Sequence, residues 1–516
     1  MSVMNPRSEE QKFTELMDLY KRVVKHLDVK ESVFPVARFL EWVNQYARGS
    51  RLFHGIEHLL DMTSEDKTLT ARGNSYAVVG SFFHDCEYPT IGEDQTEVSK
   101  RFLDKYIRVE VVDPNDKSKS KHFVRNDIPE DDVIAKMLLR TFNLKPGAQL
   151  NPFAGMNEFY SAVAAAEELS RIGCKPDYIL GVVVNIQATV PFGMDKDRFN
   201  KIRESAIGLN TELKLGLSKA DIDVIMMAAV NTANRDVNGF LGELDPNDTT
   251  SKPSINSVLE TIAGGDRLRP EEVRSLMLRG VPEPDRHFPL SDYLLARMKG
   301  AGLYLQVIPG DETQRTIPNL FHSVTLSDGT IYPPKEWTEK ANKLAYENTQ
   351  PVKVAECARM ISVAAIYSIS KLTGNDDLLP TKVKLQDLVE GTVDRMTEAD
   401  LPDGSSRVRV LADSCLSGRH ETDYDIRRSP IAQLVLRELD EKQILELAPK
   451  VRGCLMAQDK DAAAKAAELM EMFSKAIPKT MLETREQIAK TLTEKEKGAL
   501  ATDIRRVDIP IAVSHA

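Results

Sequence analysis

The sequence predicts a mainly α-helical protein: a helical domain over residues 1–330, carrying a β-hairpin insertion at about 106–128, and a further, mostly helical C-terminal region over 331–516. Three observations predict it. Apolar residues recur at helical spacing from residue 9 onward, as with Phe13, Leu16, Met17 and Tyr20. Paired β-branched runs stand out in YIRVEVVDPNDKSKSKHFV, where they flank a Pro-Asn-Asp-Lys turn, which reads as a hairpin with a charged tip. Residues 431–506 are rich in Ala, Lys, Glu and Leu, the composition of long helices.

Taken in order, residues 9 to about 105 are helical, with FLEWVNQYARG and SYAVVGSFFHD as two of the stretches. The hairpin follows, and helix resumes with DDVIAKMLLRTF. From 157 to 192 a helical pattern leads into the buried run YILGVVVNIQATV, closed by Pro191. An amphipathic helix spans 218–242, and GELDPNDTTSKPSI is a loop of turn formers. A second helical group covers 257–307, and 308–335 is a loop with short strands around HSVTLSDGTIYPP. Next comes a helical pair, 336–348 and 351–374. Residues 375–430 are irregular, and the helices of 431–506 are expected to break at Pro449 and Pro478.

With 516 residues, 42% hydrophobic and 28% charged, the composition is that of a folded chain of two or three domains. A net charge of −10 disfavours nucleic acid and anionic membrane as partners. It leaves room for an anionic small substrate, because a bound cation reverses the field locally. Cys86, Cys174, Cys357, Cys415 and Cys454 contain no CxxC and are odd in number, which argues against a disulfide framework. No leader and no membrane span is evident, so a cytoplasmic protein is expected.

Nine histidines occur in the chain, and three of them fall between positions 54 and 84. In RLFHGIEHLLDM, His54 and His58 are four apart, so on a helix they share a face. Such a pair can hold a metal, or divide the work between ligand and proton donor; partly exposed helix histidines have the same spacing. In VVGSFFHDCEYP, Val78, Phe82 and Asp85 share a helical face, which turns Asp85 toward the core beside His84. An inward carboxylate is costly unless it is paired or binds a metal, and imidazole with carboxylate suits a divalent first-row ion. In DIDVIMMAAVNTANRDVNGF, a wheel of about 100° per residue puts Asp236 inside the arc of Ile222, Ile225, Met226, Ala229, Ala233, Val237 and Phe240. Asn231, Asn234 and Arg235 fall outside that arc. Weaker signals are a basic group at Arg267, Arg269 and Arg274, and His420 with Asp423 and Asp425; both read as ordinary surface.

Together FHGIEHLLDM, SFFHDCEYP and ANRDVNGF resemble the HD superfamily of metal-dependent phosphohydrolases, over roughly residues 30–240. That family orders a histidine, a His–Asp pair and a distant aspartate on helices lining one pocket. Tyr88 and GEDQTEVSKRFL are similar to features of its small hydrolases. Gly55 stands where the family often has Asn, and Pro191 where relatives can carry another histidine. The resemblance implies an HD-type helical domain in which His58, His84, Asp85 and Asp236 ligate a divalent ion (Mn, Fe, Co, Ni, Zn or Mg). His54 would act as general acid, or exchange roles with His58, and Asp85 counts with His54 among the catalytic residues. Arg51, Lys100 and Arg140 are candidates to balance phosphate charge.

The function expected from this reading is hydrolysis of a phosphoester or phosphoanhydride in a small phosphorylated compound, nucleotides among the candidates. The alternative is a non-catalytic interaction protein on a degenerate HD scaffold. In either case the C-terminal helices offer a surface for a protein partner or a second copy.

Overall fold

Ser8 opens the first helix with a capping box: its side chain accepts from the Gln11 amide, and the Gln11 side chain returns the bond to the Ser8 amide. The helix so started, α1 (Glu9–Leu27), buries Leu16, Leu19, Tyr20, Val23, Val24 and Leu27, the face its spacing predicts. The computed structural model describes residues 8–47, 55–89, 97–111, 120–150, 155–190, 197–238, 320–372, 433–436, 438–457 and 459–491. The described residues form two compact units, one holding those up to Asn238 together with 320–345, the other those from Tyr346 onward. The chain is mainly helical, as its periodicity predicts.

In the first unit α1 is followed by α2 (Val36–Tyr46), α3 (Ile56–Met62), α4 (Ala71–Phe83) and α5 (Glu97–Leu103). A hairpin then pairs β1 (Ile107–Glu110) with β2 (Lys121–Val124) in antiparallel register, Ile107 opposite Val124 and Glu110 opposite Lys121. Its expected charged tip, 112–119, lies outside the described residues. Helices α6 (Val133–Thr141), α7 (Met156–Arg171), α8 (Pro176–Ala188), α9 (Arg198–Glu212) and α10 (Lys219–Asp236) complete the run. The buried stretch YILGVVVNIQA is helical and forms most of α8, starting at Pro176, where a missing N–H costs nothing.

At the centre α4, α7, α8 and α10 pack on one another. Their sequences explain why. Helices α4 and α8 are apolar or small around nearly their whole circumference, so they must be surrounded by protein. Small residues set the approach: a Cβ on Gly80 would stand 2.7 Å from the Asn185 Cβ, and one on Gly181 would stand 2.3 Å from the Tyr76 ring. The polar groups admitted to this core are paired. Asn185 donates to the Gly181 carbonyl at 2.8 Å and accepts from Thr232 Oγ1 at 3.0 Å, which ties α8 to α10. On α7, the fully buried Glu168 receives a fork from Arg38 and a bond from Arg171 at 2.6 Å. Burial alone would raise its pKa; the two guanidinium groups outweigh that and hold it below the usual carboxylate range.

A second hairpin, β3 (Val324–Thr325) with β4 (Ile331–Tyr332), lies against α9 and α10. Asp223 of α10 accepts from the Ser327 amide at 3.0 Å and from Arg203 at 2.8 Å, and the hydroxyls of Tyr332 and Thr68 meet at 2.9 Å. The turn-rich stretch around 330 is therefore a hairpin that belongs to the first unit, which takes in residues up to Ala345.

Two expected breaks do not occur. The pair foreseen on either side of Pro351 is one helix, α11 (Lys335–Leu372), and Pro449 lies within the helix Glu441–Met456. A proline removes one backbone bond and costs about 3 kcal/mol in a helix interior. Burial of Val354, Ala358, Ile361, Ala365 and Ile369 in the first case, and of Ile444, Val451 and Leu455 in the second, opposes that cost. Pro478 does coincide with a boundary, between Ala462–Ala476 and Pro478–Thr491.

The contact at Gly181 generates a prediction. Gly181→Ala should lower stability by about 1–3 kcal/mol, because the added methyl meets a rigid ring in a filled core. Gly453→Ala, where a Cβ meets nothing within 4 Å, should be neutral or stabilising. Urea melts of both variants check the contrast, and equal midpoints would contradict the packing argument.

Candidate metal centre

Three helices deliver four side chains to one point. His58 comes from α3, which begins at Ile56 behind Gly55, an extended N-cap. His84 and Asp85 stand just past the last turn of α4, and Asp236 is the last residue of α10. One ligand atom from each of His58, His84, Asp85 and Asp236 lies within 4.8 Å of all the others.

The distances show how tightly these atoms converge. Nε2 of His58 is 3.2 Å from Nε2 of His84 and 3.2 Å from Oδ1 of Asp236. Nε2 of His84 is 2.8 Å from Oδ2 of Asp85 and 3.7 Å from Oδ1 of Asp236. His84 and Asp85 are 1% and 4% exposed, and the Asp236 side chain 14%.

The surroundings prepare these groups for a cation. Nδ1 of His84 lies 2.7 Å from the Ser81 carbonyl, so that nitrogen carries the proton and donates it. In the neutral ring this leaves Nε2 as a lone pair facing the cluster, the tautomer a metal requires. Burial opposes a charge on His84, but Asp85 and Asp236 outweigh it and raise its pKa well above the ordinary value. Burial would push Asp236 up; the two imidazoles prevail and hold it down to about 2. Among the described residues no well-aligned hydrogen bond reaches the buried Asp236 Oδ1. Both α4 and α10 also direct their C-terminal ends, the negative poles of their dipoles, at the carboxylates. Two carboxylates and two helix C-termini in a buried space call for positive charge, and the donor set of two imidazoles and two carboxylates fits a divalent first-row ion.

The frame around the cluster is braced. Arg235 donates to the Met62 carbonyl at 3.0 Å and to that of Ser64, holding the end of α3 to α10. Asn231 donates to Asp66 at 2.6 Å, and Asn234 exchanges two bonds with the backbone of His322, at 2.8 and 2.9 Å. These three side chains do leave the cluster, as the helical wheel predicts. Asn234 is nevertheless buried, because the hairpin covers it. On the other side, Tyr46 donates to the Phe82 carbonyl at 2.8 Å and fixes the end of α4.

Other expected residues stand elsewhere. His54 and Arg51 lie outside the described residues. Lys100 is exposed on α5. Arg140 pairs with Glu212 at 2.5 Å, at the end of α9 opposite Arg198. Fourteen helical residues separate those ends, roughly 20 Å. Pro191, Arg267, Arg269, Arg274, His420, Asp423 and Asp425 also lie outside the described residues.

No family model, curated protein or solved structure matches the chain.

Sequence reading missed Arg198, Glu158 and His322, which are linked to Asp236 through the fold. Arg198 sits where the fields of Glu158 and Asp236 both reach it, and it in turn depresses the His322 imidazole. No spacing rule joins positions 158, 198, 236 and 322; the one local signal was a histidine in HSVTLSDGTIYPP.

The cluster generates a binding prediction. The purified chain should take up about one divalent ion, and at free metal a hundredfold above Kd it should gain about 2.7 kcal/mol of stability. A His84→Ala, Asp85→Ala double variant should show neither effect by elemental analysis and thermal melting. Equal uptake by both proteins would reject the site.

Proposed function

We propose that this chain is a metal-dependent phosphohydrolase of the HD type, acting on a phosphoester or phosphoanhydride of a small substrate. The observation that carries the reading is the convergence of His58, His84, Asp85 and Asp236 within 4.8 Å, from three segments in the order histidine, His–Asp, aspartate. That order supports the resemblance read from the sequence, and the third segment, 151 positions beyond Asp85, joins the first two only through the fold.

In this reading the four residues hold the ion. A divalent ion bound there lowers the pKa of water to supply a nucleophile near neutral pH and polarises a phosphoryl oxygen. The chain's residues do the rest. The Ser81 carbonyl fixes the tautomer of His84. Arg235, through the carbonyls at the end of α3, keeps His58 in register with Asp236. His54, four residues before His58, is assigned as proton donor to the leaving oxygen. Among the described residues no helix is long and apolar enough to cross a membrane, which accords with a small substrate taken from water.

The test is turnover by the metal-loaded full chain on a panel of phosphomonoesters, phosphodiesters and nucleotides. Asp236→Asn keeps the shape and removes a charge; it should lower kcat/KM by about a thousandfold or more, together with metal affinity. His54→Ala should lower kcat and keep the metal, whereas His58→Ala should lose the metal. Metal without turnover on any substrate, or turnover that survives chelation, would contradict the proposal. Absence of both metal and turnover would favour the scaffold reading.

A further inference from the structure

If the metal centre is as proposed, its charge balance leaves a question. One divalent ion against two carboxylates is neutral, and the helix C-termini around it are negative. A phosphorylated substrate adds more negative charge, so a cation should stand beside the ion. Arg51 lies outside the described residues, Lys100 is exposed on α5, and Arg140 is paired with Glu212.

Arg198 supplies this cation. It is the first residue of α9, half-buried, and its guanidinium covers the end of α8. Nη1 donates to the Val190 carbonyl at 2.6 Å, and Nη2 to those of Gln187 and Ala188 at 2.7 and 2.9 Å. A guanidinium has five N–H donors, so two have no partner among the described residues. Asp236 and Glu158 both act on its charge. Burial lowers its pKa, with those two acids opposing, to about 10, so it stays a cation at neutral pH. At the same end of α8, Gln187 Oε1 is buried with no hydrogen-bond partner among the described residues.

The neighbour of Arg198 in space is His322, delivered by the chain just before β3. Asn234, two residues ahead of Asp236, pins the His322 backbone, and the imidazole packs on Phe199 with centroids 5.0 Å apart. Burial, and then the charge of Arg198, lower its pKa to about 4, so the ring is neutral and does not share the cationic role.

We propose that Arg198 is the substrate-binding residue of this centre: one of its remaining donors, Nε–H or the second Nη1–H, is given to an anionic phosphoryl oxygen beside the metal, and His322 forms the adjoining wall. Arginine suits this role, because it stays charged while part of the guanidinium is bound to the α8 carbonyls, and a remaining N–H makes a charge-assisted bond to phosphate.

The probe is inorganic phosphate, titrated calorimetrically into the full chain loaded with zinc or manganese. Wild type should bind phosphate only when metal is present. Arg198→Met should keep its metal and bind phosphate about 10- to 100-fold more weakly, the worth of one charge-assisted bond. Because Arg198 also caps α8, His322→Glu is the decisive variant. It leaves the cap intact and sets a carboxylate against the guanidinium, which should exclude phosphate to a similar degree while metal content stays at the wild-type level. Wild-type phosphate affinity in metal-loaded His322→Glu overturns the inference, whatever Arg198→Met does. So does a metal-loaded wild type that binds no phosphate, a result that leaves the metal centre standing. A wild type that takes up no metal overturns both.

Discussion

Two carboxylates, Asp85 and Asp236, are brought against two imidazoles in a space that water barely reaches, and much of the first unit is arranged around that confrontation. Isolated buried carboxylates are too costly to keep ionised. Here each faces a histidine nitrogen, and His84 is turned by the Ser81 carbonyl so that its lone pair points inward. A cation at the centre would relieve the carboxylate repulsion and the negative potential of two helix ends together.

Holding that arrangement requires a rigid frame, and the frame is the packing of α4, α7, α8 and α10. Gly80 and Gly181 let α4 and α8 approach closely enough for Asn185 to bridge to Thr232. The end of α4 is thereby placed relative to α10, and His84 relative to Asp236. Arg235 adds α3 to the same frame. The hairpin of β3 and β4 is a brace on the outer side of α10, held through Asp223 and Asn234. The residues just before β3 carry His322 against Phe199 and Asn234. Stability and function are linked here by geometry: the contacts that fix the helices also fix the distances among the four ligand atoms.

The sequence was legible where the signal is local. Helical periodicity located α1, α4 and α10, and the Pro-Asn-Asp-Lys turn between β-branched runs located β1 and β2. It misled where a local rule met a stronger non-local term. Pro449 read as a break and 336–372 as two helices, yet each region is one continuous helix through its proline, since burial of their apolar faces opposes the loss of one backbone bond. A boundary near 330 looked natural in a turn-rich stretch, but that stretch is a hairpin folded onto α9 and α10.

For the centre itself the division is similar. His58, His84, Asp85 and Asp236 could be nominated from sequence, because a polar residue set into an apolar helical arc is anomalous within a single element. That anomaly needs no knowledge of the neighbours. Whether the four meet at one point is a matter of three helices converging, and only tertiary packing decides it. Arg198 and His322 gave no comparable sign. Each is unremarkable in its own segment, and each takes its meaning from groups that are distant in the chain: Asp236, Glu158 and the end of α8 for the arginine, Asn234 and Phe199 for the histidine. Amphipathic period is written into each segment, but electrostatic environment is a property of space, summed over whatever the fold places nearby.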